Sequence, residues 1–343
     1  MIFAVLKKRI KKPWFLVLVS LVLLCFLYGT YLIFGDAVTS DKKVRIRIRK
    51  GWTLQQLSDS LVSKAGLKHP SVFRFVSENA GYKIPRPAVI QVLPGSNLYS
   101  IVNLLKANRN QTVNIAIRGS MDATQLAMLF SSKLEVDKDS FLLMLKDRSK
   151  LGKFDVTDTT WATLFIPNTY NLYASTELNQ LMDRMHKEYA LFWNSGRKQR
   201  SIVQRLTFHE VLTLASIVTK ESNKTDEYEQ IAGVYLNRLR IGMPLQADPT
   251  VVYARGRAGR VWAADLAIQS PYNTYLHKGL PPGPICIPNL QSIEAVLNYK
   301  QHNYLYFCAR ADFSGYHDFA ISLADHNRNA AAFHRAMNER GIK

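Results

Sequence analysis

The chain has 343 residues, 47% hydrophobic and 21% charged, long enough for two or three domains and too apolar to be a disordered tail. Its formal charge is +19, from 45 Lys and Arg against 26 Asp and Glu, which suits an anionic partner such as an acidic membrane face or a wall polymer. Nucleic acid is disfavoured, because there is no zinc-finger spacing, no RNP-type aromatic motif and no basic helix interleaved with aromatics.

Trp14 to Phe34 holds no charged residue over 21 positions, enough to span a bilayer core of roughly 30 Å. Lys7, Lys8, Arg9, Lys11 and Lys12 precede it and place the N-terminus in the cytoplasm by the positive-inside rule. The run is longer than a signal-peptide core of about 7–15 residues, and no Ala-x-Ala site follows. The reading is therefore an uncleaved anchor, with everything after about Gly35 outside the cytoplasm.

Val44, Ile46 and Ile48 then alternate with Arg45, Arg47 and Arg49, which predicts a half-buried strand with one basic face. A turn at Gly51–Thr53 leads to a helical stripe of Leu54, Leu57, Leu61 and Val62, and a second helix follows Pro70. The pattern recurs. Val89–Gly95 precedes Leu98, Ile101, Leu104 and Leu105, and Val113–Gly119 precedes Leu126, Leu129 and Phe130. These segments resemble LysM-type β-turn-helix modules, which in many proteins bind N-acetylglucosamine polymers; a plain spacer or docking module is the alternative.

Asp155 to Thr160 reads as a junction. Beyond it, Pro, Gly, Tyr and Asn cluster at Phe165–Tyr170, Gln246–Thr250, Ser270–Tyr275 and Gly279–Gly283. Such loops suit a polar ligand: Tyr272 and Tyr275 would stack on sugar faces while Asn273 and Asp248 bond hydroxyls. Ordinary turn chemistry is the alternative.

Thr207–Glu210 is a capping box opening a helix that runs to Glu221. At 3.6 residues per turn, Leu214, Ile217 and Val218 lie within roughly 60° of Glu221 around the axis. A carboxylate on that face either bends out to water or sits desolvated beside a cleft, with its pKa raised toward that of a general acid. Glu210 faces the same side but is about 16 Å away, too far to share one bond. Ile231, Val234, Tyr235 and Leu239 mark the next helix, ended by Gly242 and Pro244; strands follow at Tyr304–Cys308 and Tyr316–Ile321, and a closing helix at Asn327–Glu339.

Nucleophile-elbow and Walker motifs are missing, His209-Glu210 lacks the second His of a zinc site, and no metal is expected. Gly256-Arg-Ala-Gly259 is too short for a phosphate loop and reads as a flexible basic loop. Cys286 and Cys308 either pair or remain buried thiols. Glu221 with Asp248 is the plausible carboxylate set. A hydrolase would use both, whereas a transglycosylase that attacks with an internal sugar hydroxyl manages with one.

Six segments together carry a resemblance. Leu214-Ala-Ser-Ile-Val-Thr-Lys-Glu221, Val234-Tyr-Leu-Asn-Arg-Leu239, Leu245-Gln-Ala-Asp-Pro-Thr250, Tyr272-Asn-Thr-Tyr275, Gly279-Leu-Pro-Pro-Gly283 and His326-Asn327 stand in the order and spacing of the YceG-like family of endolytic murein transglycosylases, which the chain resembles over nearly its whole length. The resemblance implies an α+β fold: a cytoplasmic tail at 1–12, a transmembrane helix at 13–34, a LysM-like region at 43–152 and a mixed catalytic domain at 155–343. It implies a single-pass protein of the bacterial inner membrane whose catalytic domain is extracytoplasmic. This enzyme would cut MurNAc–GlcNAc bonds within nascent glycan strands, leave 1,6-anhydro ends and so set where polymerisation stops.

Glu221 would be the acid/base, and Asn237, Gln246, Asp248, Tyr272, Asn273, Tyr275 and His326 would bind substrate. Partners would be peptidoglycan strands, membrane lipid and peptidoglycan synthases. A non-catalytic wall-binding scaffold is the alternative. The chain departs from many members at Thr219, Ala162-Thr163 and Asn168, three places that otherwise carry Glu, Glu-Gly and Asp. Glu221 would then work without acidic neighbours there.

Overall fold

The computed structural model describes residues 13–49, 51–107 and 112–341. The basic residues 7–12, on which the expected orientation rests, lie outside them. The chain divides into two units, Met1–Val113 with Leu172–Thr176, and Asn114–Asn171 with Glu177–Lys343.

The first unit begins with α1 (Pro13–Phe34). Its stretch Trp14–Phe34 has a mean hydropathy of 2.5 and none of it is buried. At 1.5 Å per residue it is about 31 Å long, so length and composition both suit a membrane span. β1 (Val44–Ile48) follows, then α2 (Leu54–Ala65), α3 (Pro70–Asn79), β2 (Ala88–Val92) and α4 (Leu98–Lys106). Thr53 caps α2 through a reciprocal bond with Gln56, and Asn97 caps α4. Ile46 and Ile48 of β1 join Leu57, Leu61, Ile90 and Leu98 in one core. Val62, at the margin of the expected stripe, is exposed.

The three strand–turn–helix segments do not form three like modules. β1 and β2 pair antiparallel, with Ile46 opposite Ile90, so the first two segments share one sheet. Ile46 and Ile48 of β1 and Ala88, Ile90 and Val92 of β2 are buried, and a two-stranded sheet is covered only when helices pack on such a face. The third strand, β3 (Thr112–Ile117), pairs instead with β4 (Asn168–Tyr173). The sequence reads the start of β4 as loop, because Pro167 and two Asn look like turn residues.

The second unit contains α5 (Ala123–Lys133), α6 (Lys138–Met144), α7 (Arg148–Leu151), α8 (Leu178–Phe192), α9 (Ser195–Gln204), α10 (Phe208–Glu221), α11 (Tyr228–Arg240), α12 (Asp248–Arg255) and α13 (Leu290–Leu297). A short antiparallel pair, β5 (Tyr306–Ala309) and β6 (His317–Ala320), and α14 (Leu323–Glu339) complete it. α10 is its axis. Nine successive residues, Val211–Thr219, are buried, which requires neighbours on every side; α9, α11, α12 and α13 supply them. Asp248-Pro249 opens a helix rather than a simple turn, since proline in the first turn lacks only an N–H that has no partner there. Cys286 and Cys308 are free thiols.

Candidate functional site

α10 carries the site's central carboxyl to the edge of the core. Thr207 accepts the N–H of Glu210 at 3.2 Å while the Glu210 carboxylate accepts the N–H of Thr207 at 2.8 Å. Leu214, Ile217 and Val218 are fully buried, as the stripe requires. At the last residue, Glu221, the chain turns extended at Ser222, and this half-buried residue lines a cleft of about 930 Å³. That volume suits a ligand of several rings. Ser120, Gln125, Lys220, Asp248, Tyr253 and Arg257 are among the residues lining it.

Burial against this apolar helix pushes the Glu221 carboxyl up to about 7. The phenol of Tyr235 opposes the rise by donating to Glu221 Oε2 at 3.0 Å. The negative charge of Asp248 adds to the rise, and the Arg238 guanidinium lowers it again. The outcome is an acid poised near neutrality with one donor ready to stabilise its anion. Asp248 Oδ1 in turn accepts the phenol of Tyr275 at 2.6 Å.

The other residues expected at the site fall into two groups. Asp248 lines the cleft with Glu221, and Tyr275 reaches it through Asp248. Tyr272 packs on Tyr253, ring centroids 4.6 Å apart, and Tyr253 lines the cleft. The rest brace the framework. Asn237 Nδ2 donates to the carbonyls of His302 at 2.7 Å and Tyr304 at 3.1 Å. Asn273 is fully buried and donates to the carbonyls of Leu266 and Ile268. Gln246, at φ +50°, lies within 3.5 Å of Arg238 Nη1. His326 stacks on Tyr306 at 5.4 Å, and its Nδ1 is buried without a hydrogen-bond partner among the described residues.

Thr219 is buried. Its hydroxyl donates to the Ala215 carbonyl, lies 2.6 Å from the Ser292 hydroxyl and accepts the N–H of Asn289. Position 219 therefore faces α13 and lies outside the cleft lining. Ala162 is buried and Asn168 exposed, and neither lines the cleft with Glu221.

Three contributors escape sequence reading. Tyr235 sits in the apolar stripe of α11 and reads as core; only packing of α11 on α10 shows its hydroxyl aimed at Glu221. Ser120 reaches the cleft because its N–H bonds the Ile287 carbonyl at 2.7 Å and the Met121 carbonyl accepts the Ile287 N–H at 3.0 Å. That approach requires Gly119, where a Cβ would lie 2.8 Å from the Asn289 Cα. The third contributor is the basic loop after α12. Its glycines and arginines were visible, but its proximity to Glu221 depends on tertiary packing. No group of three or more His, Cys, Asp or Glu side chains gathers as a metal site among the described residues.

A family model described as YceG-like matches residues 46–332. Among curated proteins, an endolytic murein transglycosylase of Bacillus subtilis (strain 168) is 29% identical over 337 residues, covering 92% of this chain and 91% of its own length. One from Streptococcus pneumoniae (strain ATCC BAA-255 / R6) is 30% identical over 335 residues; the match covers 85% of this chain and 58% of that protein. A solved structure of a YceG-like protein from Listeria monocytogenes superposes with a TM-score of 0.56 at 26% identity, covering 84% of this chain and 99% of that one.

Proposed function

The chain belongs to the YceG-like family, and from that premise we propose that it is a membrane-anchored endolytic transglycosylase of peptidoglycan with Glu221 as its single acid/base. The observation that carries the role of Glu221 is its placement. The carboxyl ends a helix buried on all sides, opens on a ligand-sized cleft and holds its proton to about 7.

The steps follow from one proton. Neutral Glu221 protonates the oxygen linking MurNAc C1 to the next sugar, and the C1–O bond breaks with the electron pair leaving on that oxygen. The carboxylate so formed keeps the hydrogen bond from Tyr235, which holds one oxygen in place. It then takes the proton of the MurNAc C6 hydroxyl as O6 bonds to C1. The product is a 1,6-anhydro end, and Glu221 finishes protonated as it began. Asp248 has two effects: its charge raises the proton affinity of Glu221 and favours the positive character that develops at C1.

α1 would serve as a single anchor, with residues 1–12 on the cytoplasmic side and the cleft outside. This tether limits cutting to strands near the membrane, where peptidoglycan synthases work, and makes the enzyme a terminator of polymerisation. The β-α-α-β order within the first unit supports a LysM-like role for residues 43–152 in holding glycan, with catalysis in residues 155–343. Around the cleft, Tyr272 and Tyr275 would contact sugar directly, and Asn237, Gln246, Asn273 and His326 would act on substrate through the framework they brace.

The test is digestion of purified wall material followed by mass spectrometry. Wild-type protein is expected to release fragments with anhydro ends, and Glu221→Gln is expected to lose at least about 10³-fold in rate while keeping its fold. Reducing ends in place of anhydro ends would mean hydrolysis and overturn the mechanism.

A further inference from the structure

The cleft beside Glu221 has a cationic rim that bond cleavage does not use. Lys220 precedes the acid in sequence, and Arg257 and Arg260 line the same cleft. The loop carrying the two arginines is pinned from inside, contrary to the flexible loop expected from Gly256 and Gly259. α12 ends at Arg255, and Gly256 turns the chain at φ +71°. The Arg255 side chain is only 4% exposed. Its Nε donates to the Arg257 carbonyl at 2.9 Å, its Nη1 to the Arg260 carbonyl at 2.9 Å, and its Nη2 to the Gly259 carbonyl. Nη1 also meets Asp265 Oδ2 at 2.5 Å, and that oxygen accepts the Trp262 N–H at 2.9 Å. One buried guanidinium thus fixes three carbonyls of a five-residue turn.

The arginines it presents are unsatisfied. The Arg257 side chain is 74% exposed and approaches Asp265 only to 3.9 Å. Arg260 lies over the Trp262 ring at 4.9 Å. Neither guanidinium makes a hydrogen bond among the described residues, so each offers its full fork of donors. The acids lining the cleft are already engaged: Asp122 accepts the Gln125 N–H at 2.8 Å, Asp248 accepts the phenol of Tyr275, and Glu221 accepts that of Tyr235.

Neutral sugar hydroxyls have no need of such charge. A muramyl ring, however, bears a substituent on O3, on the same ring as the C1 that is cut. That substituent is a lactyl acid or a lactyl-linked peptide, and both carry carboxylates at neutral pH. Resting on the transglycosylase reading above, we propose that Arg257 and Arg260, with Lys220 beside them, form a subsite for a carboxylate of the muramyl O3 substituent and select strands that bear it.

The test compares KM on three amine-acetylated glycan preparations: peptide-bearing strands, strands stripped of peptide, and peptide-bearing strands whose carboxyls have been converted to methylamides. Wild-type protein is expected to show a KM about 5- to 30-fold higher on the methylamide strands. That difference should shrink between 0.15 M and 1 M salt, as the screening length falls from about 8 to about 3 Å. The Arg257→Gln/Arg260→Gln variant is expected to treat peptide-bearing and methylamide strands alike, and Arg257→Lys/Arg260→Lys to restore most of the preference. A low KM on stripped strands would mean that a free lactyl carboxylate also fills the subsite, and a high one would restrict recognition to a carboxylate of the peptide. Equal wild-type KM values for peptide-bearing and methylamide strands would overturn the subsite alone. No cleavage of any strand would overturn the transglycosylase reading and the subsite with it.

Discussion

In the mechanism proposed above Glu221 works only while it holds a proton, so its environment would set the pH range of the enzyme. With the carboxyl at about 7, kcat/KM on wall strands should fall tenfold per unit as pH rises above that value. Tyr235→Phe removes a donor to the anion worth about 1.5 kcal/mol. The falling limb should therefore move up by about one pH unit in a rate profile, with turnover reduced because the acid is less well held. Stability shows the same proton. The folded state raises this carboxyl above its unfolded value, so its contribution is intact below about pH 4.5 and is lost as pH climbs to about 7. The part lost between pH 5 and pH 8 is about 2–3 kcal/mol, and Glu221→Gln should abolish it in urea melts at those two pH values.

At the scale of elements, α10 positions the acid because it has no free side on which to shift. Leu214→Ala should cost about 3 kcal/mol in melting experiments, through lost burial and the cavity left behind. Thr207→Ala, at the far end of the same helix, should cost about 1 kcal/mol through the lost cap. α10 was also the most legible element in the sequence. The capping box at Thr207 and Glu210 and the stripe of Leu214, Ile217 and Val218 specify its start, its buried face and the awkward position of Glu221.

Other elements were hidden for identifiable reasons. β4 exists because β3 supplies its hydrogen-bond partners, and Pro167-Asn168 gives no local sign of that pairing. α9, Ser195–Gln204, is too polar to show a stripe. Asp248-Pro249 fits a turn as well as a helix start. Within the site, Asp248 and Tyr275 were readable as polar loop residues near the acid. Tyr235 was not, because a phenol within an apolar stripe has the spacing of core.

For the whole molecule, the proposed anchor role of α1 would separate location from chemistry. A form lacking residues 1–34 should appear in the soluble fraction and still digest isolated wall material, while the full chain pellets with membranes. The reverse result, full-length protein in the soluble fraction, would remove the anchor from the account.

The path of the chain between the two units also bears on the order of synthesis. Leu172–Thr176 belongs to the first unit although residues 114–171 before it belong to the second. The ribosome therefore completes residues 1–113 before this closing piece exists, and must make residues 114–171 of the other unit before supplying it. Leu172, a side chain only 5% exposed in the finished protein, is still to come when the rest of the first unit has emerged. Maturation is thus interleaved rather than sequential, and pulse-labelled chains should gain protease resistance in the first 113 residues only after the ribosome has passed Thr176.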